Sequence, residues 1–350
     1  MGLFYPDNPK RMARLQQLVD SITNMQADLK NIGKQMDDEN AQYRPTVNAL
    51  LKASGMDSVD DVINKAAAQM TPDERKVFEA LIKTVKNTKT GFDVTYFIAG
   101  LLMAPGGAIL TGKGAISIAR WASRMLNVKS LANFFTAAEG GESAAAAAAT
   151  EIVAEAEDAA EALEGVGEAA EVAEVAAEVT EAASIVSTIS VALDALAGIG
   201  LVVGFVAGVI EIYEGKQQKA KLIDAIHRLQ PARLTTAFFK QEGTNILNQL
   251  ETLKLYLGAW LGSDPDPAMA AKASACPRSR RPAPADTEAT AMCTFLQLAN
   301  AIIFRIILEN NEIDLNKLET ELETQDRQSS SFYGGADLSH DAVVAATSNN

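Results

Sequence analysis

Cysteine, histidine and tryptophan occur only twice each among 350 residues, and aromatic residues make up 6% of the chain. So small a stock excludes a disulfide scaffold, a His-rich metal centre and an aromatic platform for stacking bases. Lysine and arginine are missing altogether between Lys129 and Lys216, a stretch that carries sixteen acidic residues. Outside it basic and acidic residues nearly cancel, so one segment carries the net charge of −14. Phosphates would be repelled there rather than neutralised, which argues against nucleic acid as a partner. No classical secretion signal is expected either, because no apolar run follows a basic region behind Met1-Gly2-Leu3-Phe4-Tyr5-Pro6-Asp7. The expectation is a chain made in the cytoplasm in soluble form, and released if its target is another membrane.

What is present is apolar residues, at 48% of the chain, with much alanine. That is enough to bury a sizeable core, and the composition favours helices. Leu15, Leu18, Ile22, Met25, Leu29, Ile32 and Met36 follow one another at alternating spacings of three and four. A stripe of that period predicts a long helix in a coiled-coil-like bundle, interrupted soon afterwards by Pro45. Met56 to Gln69 reads as a shorter helix. Thr71-Pro72-Asp73-Glu74 reads as the start of another, with an N-cap, a proline at the first position and acids in the first turn. A second heptad pattern runs through Leu222, Ile226 and Leu229 and, beyond Pro231, through Ile246, Leu250, Leu253, Leu257 and Trp260. It predicts a long helix or a helix pair.

Two apolar segments stand apart. Val94 to Gly112 contains no charge and includes Phe97, Ile98, Leu101, Leu102, Ile109 and Leu110, but Pro105-Gly106-Gly107 would break a single straight helix. A buried hydrophobic hairpin is expected. Ala182 to Ile210 carries one charge, Asp194, and its core holds Leu196, Ile199, Leu201, Val202, Val203, Phe205, Val206, Val209 and Ile210. Gly200, Gly204 and Gly208 make a spacing that lets helices approach closely. Buried ionised, Asp194 would need a partner such as Lys113, Arg120 or Arg124, or would take up a proton. Between the two lies an Ala/Glu-rich stretch in which Glu161, Glu164, Glu168, Glu171, Glu174, Glu178 and Glu181 recur every three or four residues. They fall on one side of a helix whose other side is Ala and Val.

No set of residues for catalysis is apparent. Gly107-Ala108-Ile109-Leu110-Thr111-Gly112-Lys113-Gly114 matches a phosphate-binding loop except at the last position, where a hydroxyl is needed and Gly114 stands. A turn between hydrophobic helices explains it better. His227 and His340 have no Cys or carboxylate at ligand spacing, so no metal, cofactor or enzymatic activity is expected. Cys276 and Cys293 flank a Pro-rich connection that also holds the basic cluster Arg278-Ser279-Arg280-Arg281.

Long heptad helices flanking two glycine-rich apolar segments resemble the α-helical pore-forming toxins of the cytolysin A, haemolysin BL and non-haemolytic enterotoxin type. The likeness is one of pattern, over roughly Pro9 to Leu261, and rests on no sequence motif. It implies an all-α fold in which a soluble bundle encloses a hydrophobic head. It also implies insertion into a lipid membrane and self-assembly into a pore, with or without a second protein component. On this reading residues 1–93 form the first part of the bundle, 94–213 the head with its acidic insertion and 214–262 the long bundle helices. Residues 263–286 are a flexible linker, 287–324 a C-terminal helix and 325–350 a disordered tail. Phe97 to Leu110 and Leu196 to Ile210 then enter the membrane, and Glu161 to Glu181 with Asp194 line the pore or sense pH. Two other readings differ in class: a lipid-associated scaffold similar to apolipoprotein L, and an integral protein spanning the membrane at 94–112 and 185–210.

Overall fold

The computed structural model describes residues 8–53, 55–87, 91–103, 112–138, 216–261 and 313–328. Among them every regular element is an α-helix, so the fold is all-α. The helices are α1 (Asn8–Ala53), α2 (Val59–Ala67), α3 (Pro72–Asn87), α4 (Gly91–Met103), α5 (Gly112–Ala138), α6 (Lys216–Leu261) and α7 (Leu315–Gln328).

The heptad stripe of α1 is buried at all seven expected positions. It does not stop at Pro45. After a second spacing of four from Met36, the stripe continues through Asn40, Tyr43, Val47 and Leu50, all buried, and α1 runs on to Ala53. Pro45 is tolerated because it lies on the exposed side, as does Ala41, whose carbonyl loses its helical donor and can be hydrated instead. The true stop is Gly55, at φ 63°, the left-handed conformation glycine adopts without strain. Met56 N–H donates to the Leu51 carbonyl at 3.0 Å and Gly55 N–H to that of Lys52 at 3.3 Å, which ends the helix in a Schellman turn.

The two short helices that follow open on reciprocal caps. Asp61 N–H donates to Ser58 Oγ while Ser58 N–H donates to the Asp61 carboxylate. Thr71 and Glu74 do the same for α3, at the start expected from the sequence. Arg75 then donates to the Ala67 carbonyl at 2.9 Å and closes the corner between α2 and α3.

Helix α6 also passes through its proline. Pro231 is only partly buried and His227, whose carbonyl it leaves without a helical donor, is exposed. One continuous helix forms because Leu229, Ala232, Thr236, Phe239, Ile246 and Leu250 hold both halves in the core. Helices α1 and α6 run side by side in the same direction: Ser21 meets Arg233, Asp28 meets Lys240 and Ile32 meets Gly243. Each has 46 residues, a length of about 70 Å. Helix α5 runs antiparallel to both, with Lys129 paired to Asp37 of α1 and Trp121 Nε1 donating to Gln249 Oε1 of α6 at 2.6 Å.

Helix α4 is enclosed by α1, α2, α3 and α5. It carries Asp93, Thr95 and Tyr96 in its first half and is apolar from Phe97 to Met103; Val94, Phe97, Ile98, Ala99, Leu101 and Leu102 are at most 2% exposed. Tyr43 of α1 stacks on Phe97 at 4.5 Å between ring centroids, and Trp121 of α5 meets the same ring edge-on at 6.3 Å. Helices α1 and α4 approach closely enough that a Cβ on Gly100 would sit 2.4 Å from the Tyr43 hydroxyl.

At the chain's other end a helix starts at Leu315, rather than running unbroken from Thr287. Asp314 caps it by accepting from the N–H groups of Asn316 and Lys317. It extends to Gln328, past the expected boundary at 324, because Asp326 is drawn into a buried ionic cluster.

Candidate functional site

Of the residues expected to enter a membrane, Phe97, Ile98, Leu101 and Leu102 lie on α4 and are core residues of this state. Helix α4 has 13 residues, about 20 Å, against a hydrocarbon thickness of roughly 30 Å. Among the described residues no helix is long and apolar enough to cross a membrane. Ile109, Leu110, Leu196, Ile199, Leu201, Val202, Val203, Phe205, Val206, Val209 and Ile210 lie outside the described residues, as do Glu161 to Glu181 and Asp194. Cys276, Cys293, Arg278 to Arg281 and His340 lie outside them too. Gly112 opens α5, while Gly107 to Thr111 of the loop-like motif are not among the described residues. Arg124, one of the partners expected for a buried Asp194, pairs with Glu242 of α6 at 3.3 Å. His227 is exposed on α6, and no group of three His, Cys, Asp or Glu residues among those described could hold a metal ion.

The densest polar chemistry lies elsewhere, where α7 crosses α1 and α6. Asp326 Oδ2 accepts from Arg14 NH1 and from Arg233 NH1, both at 2.7 Å. Its other oxygen accepts from Gln17 Nε2 at 3.2 Å, and Arg233 Nε donates to Ser21 Oγ at 2.9 Å. The three charged side chains are at most 6% exposed. Burial lowers the pKa of Arg14, with the Asp326 carboxylate and Glu323 acting against that and Arg233 with it. A guanidinium remains charged even so, and burying two of them requires the pairing that Asp326 supplies. Arg14 Nε is buried and makes no hydrogen bond.

Neither arginine stands out in the sequence, although Arg233 obeys its periodicity and Arg14 lies beside it. Arg233 follows Leu229 by four positions on the stripe of α6, and Arg14 adjoins Leu15 on that of α1. Asp326 continues the series Leu315, Leu318, Leu322 by a further four. Charged residues at or beside stripe positions are the signal that could have found the cluster. Next to it, α1, α6 and α7 enclose a groove of about 560 Å³, lined by Ser21, Met25, Asp28, Ala237, Lys240, Leu318 and Leu322 among others.

Besides Lys240–Asp28 between α1 and α6, two ionic contacts tie α5 to those long helices. Lys129, 4% exposed, pairs with Asp37, which is 55% exposed. Glu242 is buried beside Arg124, and its pKa is raised because desolvation outweighs the guanidinium. Compared with known protein families, curated proteins and solved structures, the chain matches none of them.

Proposed function

We propose that this protein is membrane-active: a helical bundle that opens at a lipid surface, inserts apolar segments and self-assembles into a pore. The observation that supports this reading is α4, whose apolar residues Phe97 to Leu102 are buried against α1, α2, α3 and α5. Burying a large apolar side chain contributes about 1.5–3 kcal/mol, so exposing Phe97, Ile98, Leu101 and Leu102 to water would cost about 6–12 kcal/mol. That rivals the whole stability of an ordinary domain. The segment therefore stays hidden in water, and a bilayer that solvates it removes most of the cost of release. With 13 residues in α4, a span requires residues beyond Met103, and Ile109 and Leu110 continue the apolar run. The segment Leu196 to Ile210 would enter beside it. The Glu161 to Glu181 face and Asp194 would then meet the aqueous lumen and favour cations.

The test is release of an entrapped dye from liposomes by detergent-free protein, at pH 7 and at about pH 5, with electron microscopy of the treated vesicles. Leakage accompanied by ring-shaped particles is expected. Binding without leakage would overturn the pore and favour a lipid-associated scaffold. Anion-selective conductance would overturn the acidic lumen.

A further inference from the structure

The Arg14–Asp326–Arg233 cluster has an asymmetry of origin. Every donor in it belongs to the two 46-residue helices: Arg14 and Gln17 to α1, and Arg233, steadied by Ser21, to α6. The carboxylate that these donors surround belongs to α7, a helix of 14 residues. Among the described residues the apolar anchors of α7 are few, since Leu318 is buried, Leu322 and Ile313 are only partly so, and Leu315 is exposed, while Glu319 and Glu323 add polar interactions of their own. The donors thus form a cradle for an oxyanion on two long helices, and the occupant comes from a separate short helix of the same chain.

We infer that this cradle is an oxyanion-binding site which Asp326 occupies in cis, and that a phosphate monoester competes with Asp326 for it and releases α7. Phosphate fits the donors better than a carboxylate does. Both guanidiniums now crowd onto the single oxygen Oδ2, and Arg14 Nε has no acceptor at all. A tetrahedral dianion offers two charges for two guanidiniums, and enough oxygens to reach Arg14 Nε as well. The groove between α1, α6 and α7 reaches the edge of the cluster, because Ser21, which holds Arg233, also lines that groove, and the charged groups themselves are uncovered only when α7 moves. Of the other acids on α7, Glu319 is buried and Glu323 acts electrostatically on Arg14; both leave with the helix and add to the positive charge uncovered. This inference does not depend on pore formation, since its readout is the docking of α7.

The test is hydrogen exchange of the amides of 315–328 in the full-length protein, followed by mass spectrometry. Inorganic phosphate is compared with sodium chloride at equal ionic strength, and phosphatidylcholine vesicles are compared with and without phosphatidic acid. Phosphate should speed exchange in 315–328 by about tenfold or more, while the amides of α4 keep their protection. Arg233→Lys keeps the charge but loses the fork and the bond to Ser21, and should abolish the phosphate response. Asp326→Asn should open α7 without phosphate. A response to inorganic phosphate assigns a soluble ligand, and one confined to phosphatidic acid vesicles assigns a lipid headgroup. Equal effects of phosphate and chloride, or no effect of either phosphate source on the wild-type protein, would overturn the site, whatever the variants do.

Discussion

Gly100→Ala separates two opposed effects by the sign of its outcome. In an isolated helix the change is favourable, because alanine exceeds glycine in helix propensity by about 0.8–1.0 kcal/mol. Here the new Cβ would lie 2.4 Å from Tyr43 Oη, 2.8 Å from Cε1 and 2.9 Å from Cζ. Ordinary contact begins near 3.4 Å, so the Tyr43 ring or α4 itself must shift by about 1 Å. The ring has little freedom, being buried and stacked on Phe97. Overpacking of this kind costs about 1–3 kcal/mol, and loss of the stacked geometry adds about 0.5–1.5 kcal/mol. The unfavourable effects exceed the propensity gain, and a net destabilisation of about 1–3 kcal/mol is expected. Urea unfolding followed by circular dichroism would read it as a lowered midpoint with an unchanged slope. Tyr43→Phe removes a hydroxyl that is buried without a hydrogen-bond partner, and with it the atom nearest the new Cβ. The double variant should therefore recover part of the loss, giving a coupling that a double-mutant cycle can measure. If Gly100→Ala raised the midpoint, as propensity alone requires, the close packing of α4 on Tyr43 would be refuted.

Two further predictions concern the ionic clamps. Glu242 has a folded pKa above its ordinary value of 4.5, so the native state binds its proton more tightly than the unfolded chain does. Its contribution is fully present below the unfolded pKa and is lost as pH rises through the folded value. Glu242→Gln should flatten that fall, visible as a smaller difference between urea midpoints at about pH 5 and pH 7; an unchanged difference would show that Glu242 is not desolvated. Asp37→Ala strands the buried Lys129 ammonium and should cost about 3 kcal/mol, whereas Lys129→Met, which leaves only the exposed Asp37 carboxylate, should cost much less. The reverse order would refute the burial of Lys129.

The heptad stripe of α1, the cap at Thr71 and the apolar character of α4 were legible because each depends on nearby residues. The passage of α1 and α6 through Pro45 and Pro231 was not. A proline's local cost of about 3 kcal/mol is visible in the sequence, but the burial of Tyr43, Val47 and Leu50 that overrides it comes from other helices. Gly33 and Gly243 illustrate the same limit. A Cβ on Gly33 would lie 2.7 Å from that of Ala132, and one on Gly243 would lie 2.9 Å from Val128 Cγ1. Both are contacts with α5, which nothing in their own neighbourhood announces. The Arg14–Asp326–Arg233 cluster was missed for a related reason, since Asp326 is more than three hundred positions from Gln17, whose amide it accepts.

The parallel course of α1 and α6 bears on how the chain is built as it leaves the ribosome. Ser21 and Arg233, which meet across that pair, are separated by 212 positions. At about 5–20 residues per second, α1 waits roughly 10–40 s for its long neighbour to be synthesised. Throughout that interval Leu15 to Met36 have lost their largest apolar cover. Lys129 lies only 92 positions from Asp37, so α5 emerges much sooner and can shield the C-terminal half of α1. Among the described residues the N-terminal half, including Leu15 and Leu18, has no such early neighbour, and it is the stretch a chaperone would hold. Completion of α6 is thus the event that ends the nascent chain's exposure, and a translation pause before residue 216 would prolong it.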